Sequence, residues 1–361
     1  MEDCDYVQNS LVSAHLTMLY ADGQCVHRNA KTIPNKTNSC DIENSTVKLL
    51  NTLEVTRATF SKPEKRSKTQ AEKDVENEKS RQLLSFDDAP KHLQFNPFIR
   101  NGYRTYLSTK MCVESMFWWT NETVNIWSHV FGWLLFVGLT INDINFLSTH
   151  ASFIDKIMVG TLLICFQTCM IFSTIYHTFS CKSEKHYDRF LSIDLLGIAL
   201  SLLAIYISGI YYAFWCHDDI RLIYIIAVGV IFVTAMVIQI PHLNVSSHLK
   251  IIIFVGWALF GILPTTHWAI KMGGFHNKMV SLLIRRVIGM YMLSGIAFLI
   301  YIAKIPERWM AGRVDFFGHS HNWWHFFVLA ALYYWHDTGL IYVEFRKSNE
   351  CFYDVDNSYT V

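Results

Sequence analysis

Charge is scarce in this sequence. Lysine, arginine, aspartate and glutamate make up 17% of the 361 residues, and the formal net charge is +1. The basic residues form no stripe with interleaved aromatic residues, which argues against a nucleic-acid partner. The nine cysteines include no Cys-x-x-Cys pair, so their spacing predicts neither a zinc knuckle nor a disulfide framework. The first apolar patch, 11–20, is short and interrupted by polar residues, and it lacks the form of a signal peptide.

Hydrophobic residues, in contrast, account for 52% of the chain and aromatic residues for 15%. Most of the polar sequence lies in about the first 90 residues, where 62–81 is rich in lysine and glutamate without an apolar stripe. Such a composition buries too little apolar surface to fold. The chain therefore divides into a disordered cytoplasmic arm (1–90), a pre-membrane amphipathic segment (91–123), a membrane domain (124–345) and a lumenal or extracellular tail (346–361).

Apolar stretches of about twenty residues follow one another through the membrane domain, and this is the length that crosses a hydrocarbon core of about 30 Å. Seven are predicted, at 124–146, 157–180, 190–215, 221–240, 249–270, 285–304 and 321–345. The first, fifth and seventh carry polar interruptions. The predicted fold is all-α, a bundle of seven transmembrane helices preceded by a disordered arm and a short amphipathic helix within 96–119.

Lysine and arginine near the ends of these stretches set the expected orientation. They are frequent before the first stretch and in the loops after the second and sixth, whereas the loops after the first and third have one each. The basic stretch 271–286 does not follow this rule, because this orientation places it on the non-cytoplasmic side. The majority predicts a cytoplasmic amino terminus and an extracellular or lumenal carboxyl terminus.

Ionisable residues at membrane depth are costly and ask for a partner. His177, His321 and His325 all lie at predicted cytoplasmic helix ends, and the last two are four residues apart on one helix face. Three neutral imidazoles bind Zn²⁺ and leave a fourth position for water, as in hydrolytic zinc sites. The sequence predicts such a site, and the alternative is a set of separate interfacial histidines.

Two further polar residues belong to the predicted site. Asp194 lies at the same depth and is a candidate to orient the water or accept its proton. Ser173, one turn before His177, is predicted to support a ligand or a polarised substrate oxygen, because no base is dedicated to activating it. Near the start of the first stretch, Glu122, Asn125 and His129 lie close to one helix face, and packing is favoured over a ligand role for them.

Four motifs in this sequence resemble the progestin and adipoQ receptor family, which includes the adiponectin receptors. They are NETVNIWSH (121–129), STIYHTFSCKSEK (173–185), SIDLLGI (192–198) and SHNWWH (320–325). The resemblance spans about 95–345. It implies seven helices, a cytoplasmic amino terminus and a zinc ion bound by His177, His321 and His325, with Ser173 and Asp194 beside it.

The resemblance leaves two function classes open. Its likeness to alkaline ceramidases implies a zinc-dependent hydrolase that cleaves the amide of ceramide, with ceramide or fatty acid among its membrane-lipid partners. Other stretches, such as NPFIRNGYRTYL (96–107) and KIPERW (304–309), resemble a Golgi-resident member that captures a Raf-type kinase. That likeness implies a scaffold on the Golgi membrane, with the plasma membrane as the alternative, in which about 1–123 holds the kinase and zinc pins the helix ends.

Overall fold

The computed structural model describes residues 78–79, 81–240, 243, 245–349, 351–353 and 359–360. Residues 1–77 of the predicted disordered arm (1–90) therefore lie outside the described residues. Its last residues, 81–90, form part of the pre-membrane structure: Leu84 makes an antiparallel bridge with Tyr103, and Ala89 is buried. The apolar residues that follow the charged run account for this difference, because they have apolar surface to bury.

Within these residues, the chain forms one short helix, α1 (Thr109–Glu114), and then a series of long helices that confirms the predicted fold class. The long helices are α2 (Thr123–His150), α3 (Phe153–Phe179), α4 (Glu184–Ala213), α5 (Asp218–Val237), α6 (Ser247–Phe260) with α7 (Ile262–Lys271), α8 (Lys278–Ala303) and α9 (Ser320–Ser348). Two strands of two residues each, β1 (Phe352–Tyr353) and β2 (Tyr359–Thr360), pair in the antiparallel direction. The amphipathic helix expected within 96–119 is limited to α1 and a following turn.

The described helices include six spans long and apolar enough to cross a membrane, namely α2, α3, α4, α5, α6 together with α7, and α8. The helix α9 is as long as the others but more polar, and it packs against α2, α3, α4 and α8. Its polar residues have partners there: His336 Nε2 is 2.5 Å from Asp143 Oδ2 on α2, and Arg346 Nη1 is 2.7 Å from Asp155 Oδ1 on α3. These contacts explain how a polar helix occupies the interior of an apolar bundle.

The sixth span begins at Lys278, seven residues before the predicted start at 285. Arg285 and Arg286 belong to the basic stretch 271–286, which is expected on the non-cytoplasmic side of the membrane. Instead, Arg286 lies within α8, where its Nε donates to Thr338 Oγ1 at 3.0 Å and its guanidinium pairs with Asp337. A partner on the neighbouring helix therefore lets the arginine stay inside the span.

The opposite end of the bundle from α1 carries a disulfide bond that the cysteine spacing did not predict. Cys216, just after α4, is bonded to Cys351, just after α9, and their Cα atoms are 5.7 Å apart. The expectation of no disulfide framework was wrong here. The two cysteines are 135 residues apart, and they meet because α4 and α9 end on the same side of the bundle.

Peptide mapping of the purified protein without reduction should recover Cys216 and Cys351 in one cross-linked species. A maleimide should react with Cys216 in the Cys351→Ser variant but, in the wild type, only after reduction. Cys165, a free cysteine of α3, serves as the reference because its thiol state should not depend on Cys351. Labelling of Cys216 in unreduced wild-type protein would contradict the bond.

Candidate metal centre

Three imidazoles meet at the end of the bundle where α3 finishes and α9 begins. His177 lies two residues before the end of α3, and His321 and His325 lie one turn apart in the first two turns of α9. The Nε2 atom of His177 is 3.1 Å from Nε2 of His325 and 3.4 Å from Nε2 of His321. His177 and His325 are buried, whereas His321 is half-buried. The structure thus brings together the three histidines that the sequence singled out.

The spacing of these nitrogens fits a tetrahedral metal ion. Zinc holds imidazole nitrogens at about 2.0–2.1 Å, which places two such nitrogens about 3.3–3.4 Å apart. The corresponding separations in the structure, from His177 Nε2 to His325 Nε2 and to His321 Nε2, are 3.1 and 3.4 Å. In the part of the chain that is described, these histidines form the one group of three metal-binding side chains whose ligand atoms all lie within 4.8 Å of one another. Three ligands leave a fourth position open to solvent or substrate, as in catalytic zinc sites.

Ser173 and Asp194 lie beside this group. Ser173 is buried on α3, one turn before His177, and Asp194 is half-buried on α4. Asp194 lies close enough to Ser173 and to His177 to interact electrostatically with both side chains. Asp194 is outside the ligand group. The pair is therefore placed to act on a molecule in the site rather than to bind the ion.

The helix α2 supports the histidines from behind. The carboxylate of Glu122 accepts hydrogen bonds from His177 Nδ1 at 2.7 Å and from Asn125 Nδ2 at 2.8 Å. Burial raises the pKa of Glu122, but interaction with His177 and the hydrogen bonds outweigh burial and lower it to about 2. Ser128 Oγ lies 3.2 Å from His325 Nδ1, and the buried His129 ring stacks on His325 with centroids 3.9 Å apart. Glu122, Ser128 and His129 thus contact the histidines without joining the ligand group.

The pre-membrane segment holds the end of α3 in place. Arg104 is 2% exposed, and its guanidinium donates to the carbonyl oxygens of His177 and Thr178, at 2.5 and 3.0 Å. It also donates to Ser115 Oγ at 2.8 Å. A cation at a helix carboxyl end satisfies carbonyls that have no partner within the helix and complements the helix dipole. Arg104 therefore fixes the backbone from which His177 projects.

A buried carboxylate does the same for the start of α9. Glu307 accepts hydrogen bonds from the Ser320 backbone N–H at 2.7 Å, from the Ser320 hydroxyl and from Asn96 Nδ2 at 3.0 Å. A negative charge is favourable at a helix amino end. Because Ser320 immediately precedes His321, Glu307 fixes the first turn of the helix that carries two of the three histidines.

Sequence reasoning did not assign supporting roles to Ser128, Arg104 or Glu307. In the sequence, Arg104 is one of the positive charges before the first predicted stretch. A usable signal exists for α2, where Glu122, Asn125 and Ser128 recur every three residues and so lie along one side of the helix. No comparable spacing marks Arg104 or Glu307, whose partners are distant in the sequence.

Fold and site together define a multi-pass membrane protein with a buried three-histidine group at one end of its bundle. The profile of the haemolysin-III-related family (HlyIII) matches residues 117–336, from just before α2 to the middle of α9. Progestin and adipoQ receptor family member 3 of Homo sapiens is 39% identical over 276 residues, which cover 74% of this chain and 88% of that protein. The chain therefore belongs to the progestin and adipoQ receptor family, within the haemolysin-III-related proteins.

More distant relatives are spread across animals and plants. The adiponectin receptor protein of Drosophila melanogaster is 32% identical over 264 residues, or 71% of this chain and 58% of that protein. Heptahelical transmembrane protein 3 of Arabidopsis thaliana is 26% identical over 310 residues, or 74% of this chain and 90% of that protein. The resemblance expected from the four motifs is thus confirmed at the level of the family.

Proposed function

We propose that this chain is a zinc-binding membrane receptor that regulates kinase signalling or lipid metabolism. The observation that carries the proposal is the meeting of His177, His321 and His325 at distances that suit one Zn²⁺ ion. Aromatic rings of Phe95 and Tyr301 lie against His321, with centroids 6.4 and 5.6 Å from it. An apolar rim around a polar centre suits a lipid with a polar head.

The orientation proposed for the receptor places the zinc site near the cytoplasm. The disulfide between Cys216 and Cys351 supports this, since disulfides persist in the oxidising lumen or outside the cell and the bond lies at the other end of the bundle. The Golgi membrane is the proposed location, with the plasma membrane as the alternative. Golgi residence and capture of a Raf-type kinase by about 1–123 derive from the sequence resemblance to a Golgi-resident family member.

A second candidate is a zinc-dependent hydrolase that cleaves the amide bond of ceramide. The position of Asp194 beside Ser173 and His177 favours it, because a hydrolase needs a base beside its metal. Zinc bound by the three histidines would supply a Lewis acid for the amide carbonyl and lower the pKa of a water. In this arrangement Ser173 would hydrogen-bond the polarised substrate oxygen, and Asp194 would accept a proton from the attacking water and pass it to the leaving amine.

Metal analysis of the purified wild-type chain tests the zinc proposal. We expect about one zinc per chain, because the three histidines form one site. Removing the zinc with a chelator should lower the free energy of unfolding, by about 4 kcal/mol relative to protein in free zinc at 1,000 times Kd. Restoration by Zn²⁺ but not by Mg²⁺ would match an imidazole site. Zinc-free protein whose unfolding midpoint does not respond to added zinc would refute the proposal.

A further inference from the structure

A neutral imidazole can bind a metal through either ring nitrogen, depending on which one carries the proton. Both His177 and His325 point Nε2 toward the centre of the group. The site is ready for a cation only when Nε2 has its lone pair free and Nδ1 carries the hydrogen. The contacts of the two Nδ1 atoms therefore decide whether these two of the three histidines are set for metal.

The contact of His177 determines its tautomer. The Glu122 carboxylate can only accept, so His177 Nδ1, 2.7 Å from Glu122 Oε2, must be the donor. Asn125 holds that carboxylate in place, because its Nδ2 donates to the same oxygen at 2.8 Å. The amide of Asn125 is oriented in turn by Asn322 of α9, whose Nδ2 donates to Asn125 Oδ1 at 2.7 Å. Nε2 of His177 is left with its lone pair.

The contact of His325 leads to the same result by a different route. Ser128 has one hydroxyl hydrogen, and it donates this hydrogen to the carbonyl oxygen of Asn125 at 3.0 Å. Its oxygen, 3.2 Å from His325 Nδ1, is therefore the acceptor in that contact. Nδ1 of His325 carries the hydrogen, and Nε2 faces His177 with its lone pair.

We propose that Glu122 and Ser128 are positioning residues that hold His177 and His325 in the tautomer required for metal binding, and that they thereby set the affinity of the site. The proposal rests on the proposed zinc site and deepens it. It gives the polar face of α2 a role that is neither ligand nor simple packing. Such outer partners of metal-bound histidines fix ring orientation and raise ligand basicity.

The affinity of purified full-length protein for Zn²⁺, measured by competition with a chromophoric chelator, tests this role. Glu122→Gln and Ser128→Ala should each weaken zinc binding by about 10–100-fold. Ser128→Thr keeps the hydroxyl and should return the affinity close to the wild-type value. The visible spectrum of Co²⁺-loaded protein should change in the Ser128→Ala variant and recover with threonine, which a purely structural role would not produce.

Two substitutions outside the site provide matched controls. Ser148 is exposed near the other end of α2, and its hydroxyl donates to the carbonyl three residues earlier, as that of Ser128 does, at 2.7 Å. Glu114 is a half-buried carboxylate at the end of α1, where it pairs with Lys110. Ser148→Ala and Glu114→Gln should leave zinc affinity unchanged.

The outcomes separate this inference from the proposed function. Wild-type affinity and an unchanged Co²⁺ spectrum in Glu122→Gln and Ser128→Ala would overturn the positioning role and leave the zinc site standing. Wild-type protein that binds no zinc would overturn both. Should Glu122→Gln fail to fold, the comparison of Ser128→Ala with Ser128→Thr decides the matter.

Discussion

Replacing His321 and His325 together by alanine should remove zinc from the protein almost completely, to less than about a tenth of an ion per chain. The double variant keeps one imidazole of three, and a single histidine does not retain Zn²⁺ through purification. The two side chains project from the first two turns of α9, whose start is held by Glu307. The helix itself should therefore survive the change.

The measurement is zinc per chain by elemental analysis of monodisperse protein in detergent. His276→Ala is the matched control, because this histidine lies exposed in the turn after α7, away from the three-histidine group. Its zinc content should equal that of the wild type. A double variant that still holds one zinc per chain with wild-type affinity would show that the ion binds elsewhere.

Much of the fold was predictable because a bilayer imposes one length on every span. The predicted starts of α2 and α9, at 124 and 321, fall within one residue of the observed Thr123 and Ser320. The prediction failed where a charged residue found a partner inside the bundle. Arg286 is the example, since its contacts with Thr338 and Asp337 belong to tertiary structure that hydropathy does not contain.

The candidate site was predictable for a different reason. The i, i+4 spacing of His321 and His325 places them on one face of α9. The chain crosses the bundle an even number of times between the end of α3 and the start of α9, so His177 lies at the same end of the bundle as these two histidines. The supporting groups were not predictable in the same way. Arg104 reaches the carbonyl of His177 from 73 residues away, and Glu307 reaches Asn96 from 211 residues away.

The disulfide illustrates the same limit. Cys216 and Cys351 are separated by 135 residues, and nothing in their local sequence marks them as a pair. Their meeting is a property of the topology, because the chain crosses the bundle four times between them, through α5, α6 with α7, α8 and α9, and an even number of crossings returns it to the same side. Once the two helices are known to end on one side, the bond becomes an independent marker of which side is oxidising.

Asp194→Asn should abolish release of fatty acid from a labelled ceramide if the chain is a hydrolase, with a loss of about 10²–10⁴-fold in rate. Asparagine keeps the shape of the side chain but cannot accept the proton of an attacking water. Because Asp194 lies outside the ligand group, zinc content should stay at the wild-type level. A rate loss with zinc retained is the combination that distinguishes a base from a ligand.

The matched control is Asp188→Asn, an exposed carboxylate near the start of the same helix α4, which should leave any hydrolysis unchanged. The same pair of variants tests the receptor proposal when retention of a Raf-type kinase at the Golgi membrane is measured in cells. Two results together would assign zinc a structural role: the wild type releases no fatty acid, and the Asp194→Asn variant still retains the kinase at the Golgi membrane. Equal hydrolysis by wild type and Asp194→Asn would instead remove Asp194 from the reaction, because an amide in place of the carboxylate cannot take up a proton at neutral pH.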